Sequence, residues 1–305
     1  MKLQQLRFLR EVVKQGLNVS AAADKLYTSQ PGVSKQIKLL EEELGVDVFV
    51  RSGKRIVDLT EPGKIIVGIV ERILRESNNL KKVSEDFRSQ LSGSLTIATT
   101  HTQARYALPH VIKTFLIRYP DVKVNILQGS PSHIGQQVVN GTADIAIATE
   151  SLHLFQDLKL FSCYDWNRCI ITPHGHPLLA LESPLTLQDI ARYPIITYDS
   201  AFAGRSKINK AFADLGLNPN IVLTAIDSDV IKTYVEIGMG IGILARMAYD
   251  PMRDLNVQMI EAGHLFEPST TSVAIRKNSY LRDYVFAFIE LFAPHLNRET
   301  IEAQL

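Results

Sequence analysis

The apolar positions of the first sixty residues keep a helical period. Leu6, Leu9 and Val13 share one face of a helix that Gly16 ends. Asn18 is placed to cap a short second helix carrying Ala22, Ala23 and Leu26. Tyr27 and Thr28 interrupt the pattern. A third helix follows, with Val33, Ile37, Leu40 and Leu44 on one face and Gly45 at its end. Thr28 or Ser29 caps it, and Pro31 falls in the first turn, where its missing N–H costs nothing. Over 46–59 the pattern becomes strand-like. Val48-Phe49-Val50 and Ile56-Val57 flank Arg51-Ser52-Gly53-Lys54-Arg55, which predicts a hairpin with a basic tip. Pro62 then opens a long helix reaching to about Leu91. Ile66, Ile73, Leu80 and Phe87 are spaced by seven, with Ile69 and Val83 between them. One apolar stripe on a polar helix wants a partner. Its own chain is one candidate; a second copy is favoured, because Ser92-Gly93-Ser94 closes the helix before a new pattern begins.

From Leu95 the chain alternates strands and helices. Strands are predicted at 95–99, 122–127, 143–148, 195–198, 221–224, 241–244 and 272–275, with helices at 111–119 and 134–139 among them. Strands separated by helices imply parallel α/β architecture. The length after residue 93 suffices for two such lobes, and ligands favour the crevice between lobes. The expected fold class is therefore multidomain α+β. A winged helix-turn-helix spans 1–59, a linker and dimerisation helix 60–92, and a two-lobed α/β effector domain 93–305. Lobe I takes about 93–162 and 267–305, and lobe II about 163–266.

Composition alters this picture little. The chain has 305 residues, a net charge of +1, and 46% hydrophobic and 21% charged residues, values of an ordinary soluble protein. Any basic surface must be local. Residues 1–59 hold ten Lys/Arg and seven Asp/Glu, a modest excess of about three positive charges. The two cysteines, Cys163 and Cys169, make no disulfide framework and no zinc spacing, which fits a reduced, cytoplasmic setting. The N-terminus lacks an apolar signal region, and no stretch is apolar enough to span a membrane.

A helix-turn-helix needs a short helix, a tight turn and a second helix with a polar outer face. With Val33, Ile37 and Leu40 turned inward, Ser29, Gln30, Ser34, Lys35 and Lys38 face out, beside Pro31 in the first turn. Gln reads adenine, Lys reads guanine, and Ser suits base or phosphate. Ser20, Thr28 and the hairpin residues Arg51, Lys54 and Arg55 are cast as phosphate contacts, which position without specifying. The competing reading is a small helical domain with a solvated basic face.

In the second half, Thr99-Thr100-His101-Thr102-Gln103 stands where a strand hands over to a helix. Hydroxyls, an amide and helix N-terminal N–H groups together suit a small anion. Thr149 ends another strand and can face the same crevice. The loop over 198–206 is a second candidate wall. Simple N-capping by one threonine is the plainer alternative. Three other patterns carry little. Gly238-Met239-Gly240-Ile241-Gly242 lacks dinucleotide spacing and leads from helix to strand, the reverse of the fingerprint. His174-Gly175-His176 lacks a third metal partner. Cys163 and Cys169 read as buried small apolar residues. No resident cofactor, metal or catalytic set is expected.

Residues 20–50, with Ser20-Ala21-Ala22-Ala23 and Ser29-Gln30-Pro31-Gly32-Val33-Ser34-Lys35-Gln36, resemble the signature of LysR-type transcription regulators. So does Arg51 followed by Leu59-Thr60-Glu61-Pro62-Gly63. The resemblance implies a winged helix-turn-helix, a dimerising linker helix, an effector domain like periplasmic binding proteins, and a homotetramer on double-stranded promoter DNA, with RNA polymerase as a further partner. The segments 99–109, 128–131, 146–150, 166–168, 229–234 and 292–296 resemble the branch of that family that activates sulfate-assimilation and cysteine-biosynthesis genes. A paralogous branch linked to sulfur starvation is similar in the same places. This implies an effector cleft accepting sulfate, O-acetylserine or N-acetylserine, with Thr100, Thr102, Gln103, Thr149, Tyr164 and Trp166 as site residues. The branch has a threonine where this chain has Ala203; Ser200 is the candidate to supply the lost hydroxyl. A small-molecule binding protein or enzyme with an N-terminal interaction module is the alternative of a different class.

Overall fold

The computed structural model describes residues 1–305 except Lys54, Ser89, Gln90, Leu91, Ala201 and Ala203, and no side chain is described at Lys82 or at 85–88. The chain divides into two compact units, Met1–Glu85 and Asp86–Leu305.

The first unit is built by local signals. Helix α1 (Leu3–Lys14) buries Leu6, Phe8, Leu9 and Val12 and ends before Gly16, whose φ is +61°. Asn18 caps α2 (Val19–Lys25), its side chain accepting the N–H of Ala21. Ser29 caps α3 (Gln30–Leu44) by accepting the N–H of Gly32, and Gly45 closes it in the left-handed region. Strands β1 (Phe49–Ser52) and β2 (Arg55–Leu59) form the antiparallel hairpin. Small Ala22 and Ala23 let α2 approach the core of Val33, Ile37 and Leu40, which Val48 and Phe49 complete. Leu44 departs from the expected face and is exposed; Glu41 takes the inward position instead, at 5% exposure.

The Leu59-Thr60-Glu61-Pro62-Gly63 segment joins the hairpin to helix α4 (Glu61–Arg88). Thr60 Oγ1 donates to the carbonyl of Asp47 at 2.6 Å and accepts the N–H of Gly63 at 2.9 Å. A Cβ at Gly63 would meet the carbonyl oxygen of Val48 at 2.0 Å, so only glycine lets the helix start this close to β1. The apolar stripe of α4 is divided between two tasks. Val67, Val70 and Leu74 are buried on the chain's own core, with Ile66 and Ile73 half-buried beside them. Ile65 and Leu80 stand exposed at 69% and 73%. The seven-residue spacing thus understated how much of the helix its own domain claims; Phe87, the last of that series, has no described side chain.

The second unit holds two five-stranded sheets. Strands β3 (Ser92–Thr99), β4 (Asp121–Gln128), β5 (Ile145–Ala148) and β6 (Leu158–Trp166) enter the first sheet. β7 (Arg168–Pro173), β8 (Ile195–Tyr198), β9 (Ile221–Ala225), β10 (Ile241–Ala245) and β11 (Val257–Glu261) make the second, and β12 (Ser269–Arg276) returns to the first. The orders are β4-β3-β5-β12-β6 and β11-β7-β10-β8-β9. Helices α5 (Leu108–Arg118), α10 (Asp283–Phe292) and the short α11 (Arg298–Glu302) cover one face of the first sheet through Phe115, Phe288 and Ile301. On the opposite side, α6 (Pro131–Val139) packs Ile134 and Val138. In the second lobe α7 (Leu187–Ala191) and α8 (Arg205–Asp214) pack with Ile208 and Phe212, and α9 (Ser228–Glu236) packs with Ile231 and Val235.

Two expectations are corrected. The sheets are mixed rather than parallel: β12 runs antiparallel to β5 and β6, and β7 antiparallel to β10 and β11. Strands β6, β7 and β11 were not foreseen. The chain first crosses between sheets at Asn167 rather than at 163, which leaves Tyr164 and Trp166 on lobe I. It crosses back between Glu261 and Ser269. Asn167 ties the two crossings together. Its amide donates to the carbonyls of Gly263 at 2.8 Å and Phe266 at 3.0 Å, and its Oδ1 accepts the N–H of Arg168.

Candidate nucleic-acid interface and effector cleft

In the first unit, Ser20, Thr28, Ser29, Gln30, Pro31, Lys35, Lys38 and Arg55 are exposed and Ser34 half-buried. Gln30 Nε2 donates to Ser34 Oγ at 3.1 Å, one turn along the same face. A groove of about 630 Å³ runs between α3 and the hairpin, lined by Gln30, Ser34, Lys38, Arg51 and Gly53. Lys54 lies outside the described residues. Arg51 is exposed and lines this groove while its Nη2 meets Oε2 of Glu41 at 2.5 Å. Glu41 Oε1 also accepts the N–H groups of Val48 and Phe49 at 2.8 and 3.2 Å. Arg51 therefore fastens the hairpin to α3 from a position beside the groove. Tyr27, which the periodicity only marked as an interruption, projects from the helix–turn–helix corner at 98% exposure with a φ of +51°. An aromatic residue between two helices with no apolar partner in sequence was the available signal.

In the second unit, the chain turns helical after Thr100 and runs through a wide π-type turn, Gln103–Ala107, into α5. Such turns re-aim side chains at functional sites. Thr100, Thr102, Gln103, Thr149, Glu150 and Trp166 from lobe I enclose a cavity with Phe202 and Ile226 from lobe II. Its volume is about 20 Å³, the room of one water. The polar walls are held by a network. Tyr164 OH donates to Gln103 Oε1 at 2.5 Å, and Gln103 Nε2 donates to Thr271 Oγ1 at 3.1 Å. Trp166 Nε1 donates to Thr149 Oγ1 at 3.2 Å. Gln103 is thus locked by its own lobe, and Tyr164 acts behind the wall by positioning it. Thr99 is buried on the carbonyl of Ile147 and serves the sheet. Ser200 is exposed and is not among the cavity's lining residues, and Ala203 lies outside the described residues.

Thr102 reaches across to Tyr198 of β8, a fully buried phenol in contact with Ser228 Oγ at 2.6 Å. Burial pushes the Tyr198 hydroxyl up to about 12, against hydrogen bonds from Ala245, Ser228 and Thr102. Beside the cavity, the lobes are clasped by charge. Asp229 of α9 is 2.6 Å from Arg105 Nε, 3.3 Å from His101 Nε2 and accepts Tyr106 OH at 2.8 Å. Lys232 bonds to Tyr106, Asp254 and the carbonyl of Ala248. Burial opposes ionisation of Asp229, but its bonds to Tyr106 and His101 and the Lys232 charge prevail and hold it below the usual range. His101, Asp227 and Asp229 have ligand atoms within 4.8 Å of one another. That proximity is explained without a metal, by the clasp and by Asp227 capping α9.

Two charged groups at the cleft escaped the sequence reading. Arg168 is fully buried, donates to the carbonyls of Glu267 and Gly204 and to Ser269 Oγ, and lies 5.0 Å from the Trp166 ring centroid. A Cβ at Gly204 would stand 1.8 Å from Arg168 Nη2, so this loop needs glycine to accept the guanidinium. Glu150 lines the cavity with its Oε1 buried and unpartnered among the described residues.

His174 and His176 are accounted for by bonds to the Leu255 carbonyl and the Leu178 N–H. Gly238 and Gly240 form the turn from α9 into β10. Burial pushes both cysteine thiols up to about 12. Among the described residues no helix is long and apolar enough to cross a membrane.

Helix-turn-helix first and two-lobed cleft second is the architecture of a ligand-responsive transcription regulator, and comparison with known proteins agrees. Residues 3–64 match the bacterial regulatory helix-turn-helix family of lysR type, and residues 88–297 match the LysR substrate binding domain. The chain belongs to the LysR family of DNA-binding transcription regulators, not to the enzymes. It is 54% identical over 305 residues to the transcriptional regulator SsuR of Burkholderia cenocepacia, covering all of this chain and 99% of the relative. It is 53% identical to CysB of the same organism, covering all of this chain and 97% of that one. Among solved structures, the cofactor-binding domain of the Cbl regulator matches with a TM-score of 0.68 at 45% identity, covering 70% of this chain and 93% of that one.

Proposed function

We propose that this regulator responds to a small sulfur-related effector, sulfate or an acetylated serine, and activates genes of sulfate assimilation and cysteine biosynthesis. The alternative within the family is control of sulfur-starvation genes, the role of the paralogous branch that the sequence also resembles. The observation that carries the reading is the convergence of Thr100, Thr102 and Thr149 with a helix start on one enclosed cavity. Donors without a cationic side chain at that helix start suit an oxyanion or carboxylate. The cavity as enclosed is smaller than any of these ligands, so binding requires the lobes to part and re-close. Thr102 and the Asp229 clasp bridge both lobes, which makes closure responsive to what the cavity holds. The exposed apolar positions Ile65 and Leu80 support self-association through α4; the proposed assembly is a tetramer on promoter DNA with RNA polymerase as its downstream partner.

Thr102→Ala is expected to weaken sulfate and N-acetylserine binding about tenfold, the worth of one charge-assisted hydrogen bond. DNA affinity without ligand stays unchanged. Calorimetry on the full chain checks this; equal affinity in both proteins removes the cleft from the proposal. On the DNA side, Gln30→Ala or Lys35→Ala is expected to cost about 1–3 kcal/mol at the correct operator. Gel shifts against single-base operator variants read it. A loss equal on every sequence assigns these residues to phosphate alone.

A further inference from the structure

The carboxyl of Glu150 sits in a contradictory place. It forms part of the wall of a cavity otherwise fitted for negative charge, and one of its oxygens is buried with no partner among the described residues. A buried acceptor left empty is costly, and a carboxylate facing an anion is costlier still. We infer that Glu150 selects among effectors by demanding a donor: an N–H carried by the ligand, or, for an oxyanion that carries none, a proton taken up from solvent together with it. This rests on the cleft being the effector site as proposed above.

The surroundings make such an exchange workable near neutral pH. The charged groups set against Glu150 are Arg168 on β7 and Lys207 on α8, and the N–H of Gly204 donates to the carboxylate. The remaining cavity walls offer Thr100, Thr102, Gln103, Thr149, Trp166, Phe202 and Ile226, none of them charged. His101, between two of these, is turned to Asp229. Arg168 donates to Glu267, Gly204 and Ser269, and its charge lowers the Glu150 carboxyl by less than burial raises it. Burial raises the carboxyl to about 7, more than these groups lower it.

The sign follows. Below that value Glu150 is neutral and its O–H donates to sulfate. Above it the carboxylate repels the dianion, and sulfate binds only with uptake of one proton. N-Acetylserine presents its amide N–H to the same oxygen and needs no proton. Both ligands keep their own charge through this range, so the protein alone titrates.

Calorimetry on the full chain at about pH 6 and pH 8, in buffers of different ionisation enthalpy, reads the exchange. Sulfate affinity is expected to fall about tenfold between the two, with about one proton taken up at the higher pH. N-Acetylserine affinity should change less than about threefold. Glu150→Gln is isosteric, always neutral, and supplies an N–H. It should flatten the sulfate profile and bind sulfate about tenfold tighter than the parent at pH 8. A sulfate profile that is flat in the parent, or equally steep in Glu150→Gln, overturns the inference while leaving the effector reading intact. A parent chain that binds neither ligand at either pH overturns both.

Discussion

Glu41→Ala is expected to destabilise the N-terminal unit by about 2–4 kcal/mol, the cost of leaving two buried N–H groups without an acceptor. Three donors converge on this carboxylate: the N–H groups of Val48 and Phe49 and the Arg51 guanidinium. Alanine strands the two N–H groups, while the exposed guanidinium turns to water. Both N–H groups belong to the backbone at the start of the hairpin, on buried Val48 and Phe49. Because domains of this size are stable by only about 5–15 kcal/mol, the hairpin should open locally well before the whole chain unfolds. Hydrogen exchange over residues 33–60 of the full chain reads this directly. Glu41→Gln, which keeps an acceptor for one N–H, should show a smaller increase. Exchange unchanged in Glu41→Ala would show that Arg51 and the hairpin are anchored elsewhere. DNA affinity should fall with it, since the recognition helix loses the strand beside it.

Arg168→Met is expected to cost the effector unit a similar amount, about 3–5 kcal/mol. The two Arg168 carbonyl acceptors and Ser269 Oγ lie at the seam between lobes, and methionine fills the volume without satisfying them. The chain's single tryptophan, Trp166, stacks on Arg168, so its fluorescence reports this unit alone. The urea midpoint of that signal should drop while far-UV signal from the first unit persists. Arg168→Lys should not restore it, because a compact ammonium cannot reproduce the fork geometry of the planar guanidinium. A midpoint equal to the parent's would mean that water satisfies these acceptors.

What the sequence made legible was what short range decides. The caps at Asn18 and Ser29, the stop at Gly45 and the hairpin around Gly53 depend on neighbours within a few residues, and each fell where the pattern put it. Long-range choices were less visible. β6 pairs with β12 across roughly a hundred residues, Ser269 opposite Trp166, and nothing local in either strand announces an antiparallel partner so distant. Glu41, Glu42 and Glu43 look alike in the sequence; only the docking of β1 selects the first for burial. On α4 the stripe spaced by seven and the face that the domain itself uses are neighbours on the helix, and Val67, Val70 and Leu74 sit one position beyond the series at Ile66, Ile69 and Ile73. In the cleft the threonines were readable because a strand-to-helix handover is a local pattern. Arg168 and Glu150 were not, since one opens a strand and the other follows one, as solvent-facing charges commonly do.

Asn167 turns the seam between lobes into a particular kind of joint. Two chain crossings that run side by side untied can slide, twist or spread independently. Here one amide grips the second crossing at Gly263 and Phe266 while its oxygen holds the first at Arg168. Sliding and spreading are thereby resisted, and bending across the pair is left as the soft motion. Any movement of one lobe against the other is then confined largely to a single axis. Opening and closing of the two lobes is then described largely by that one angle.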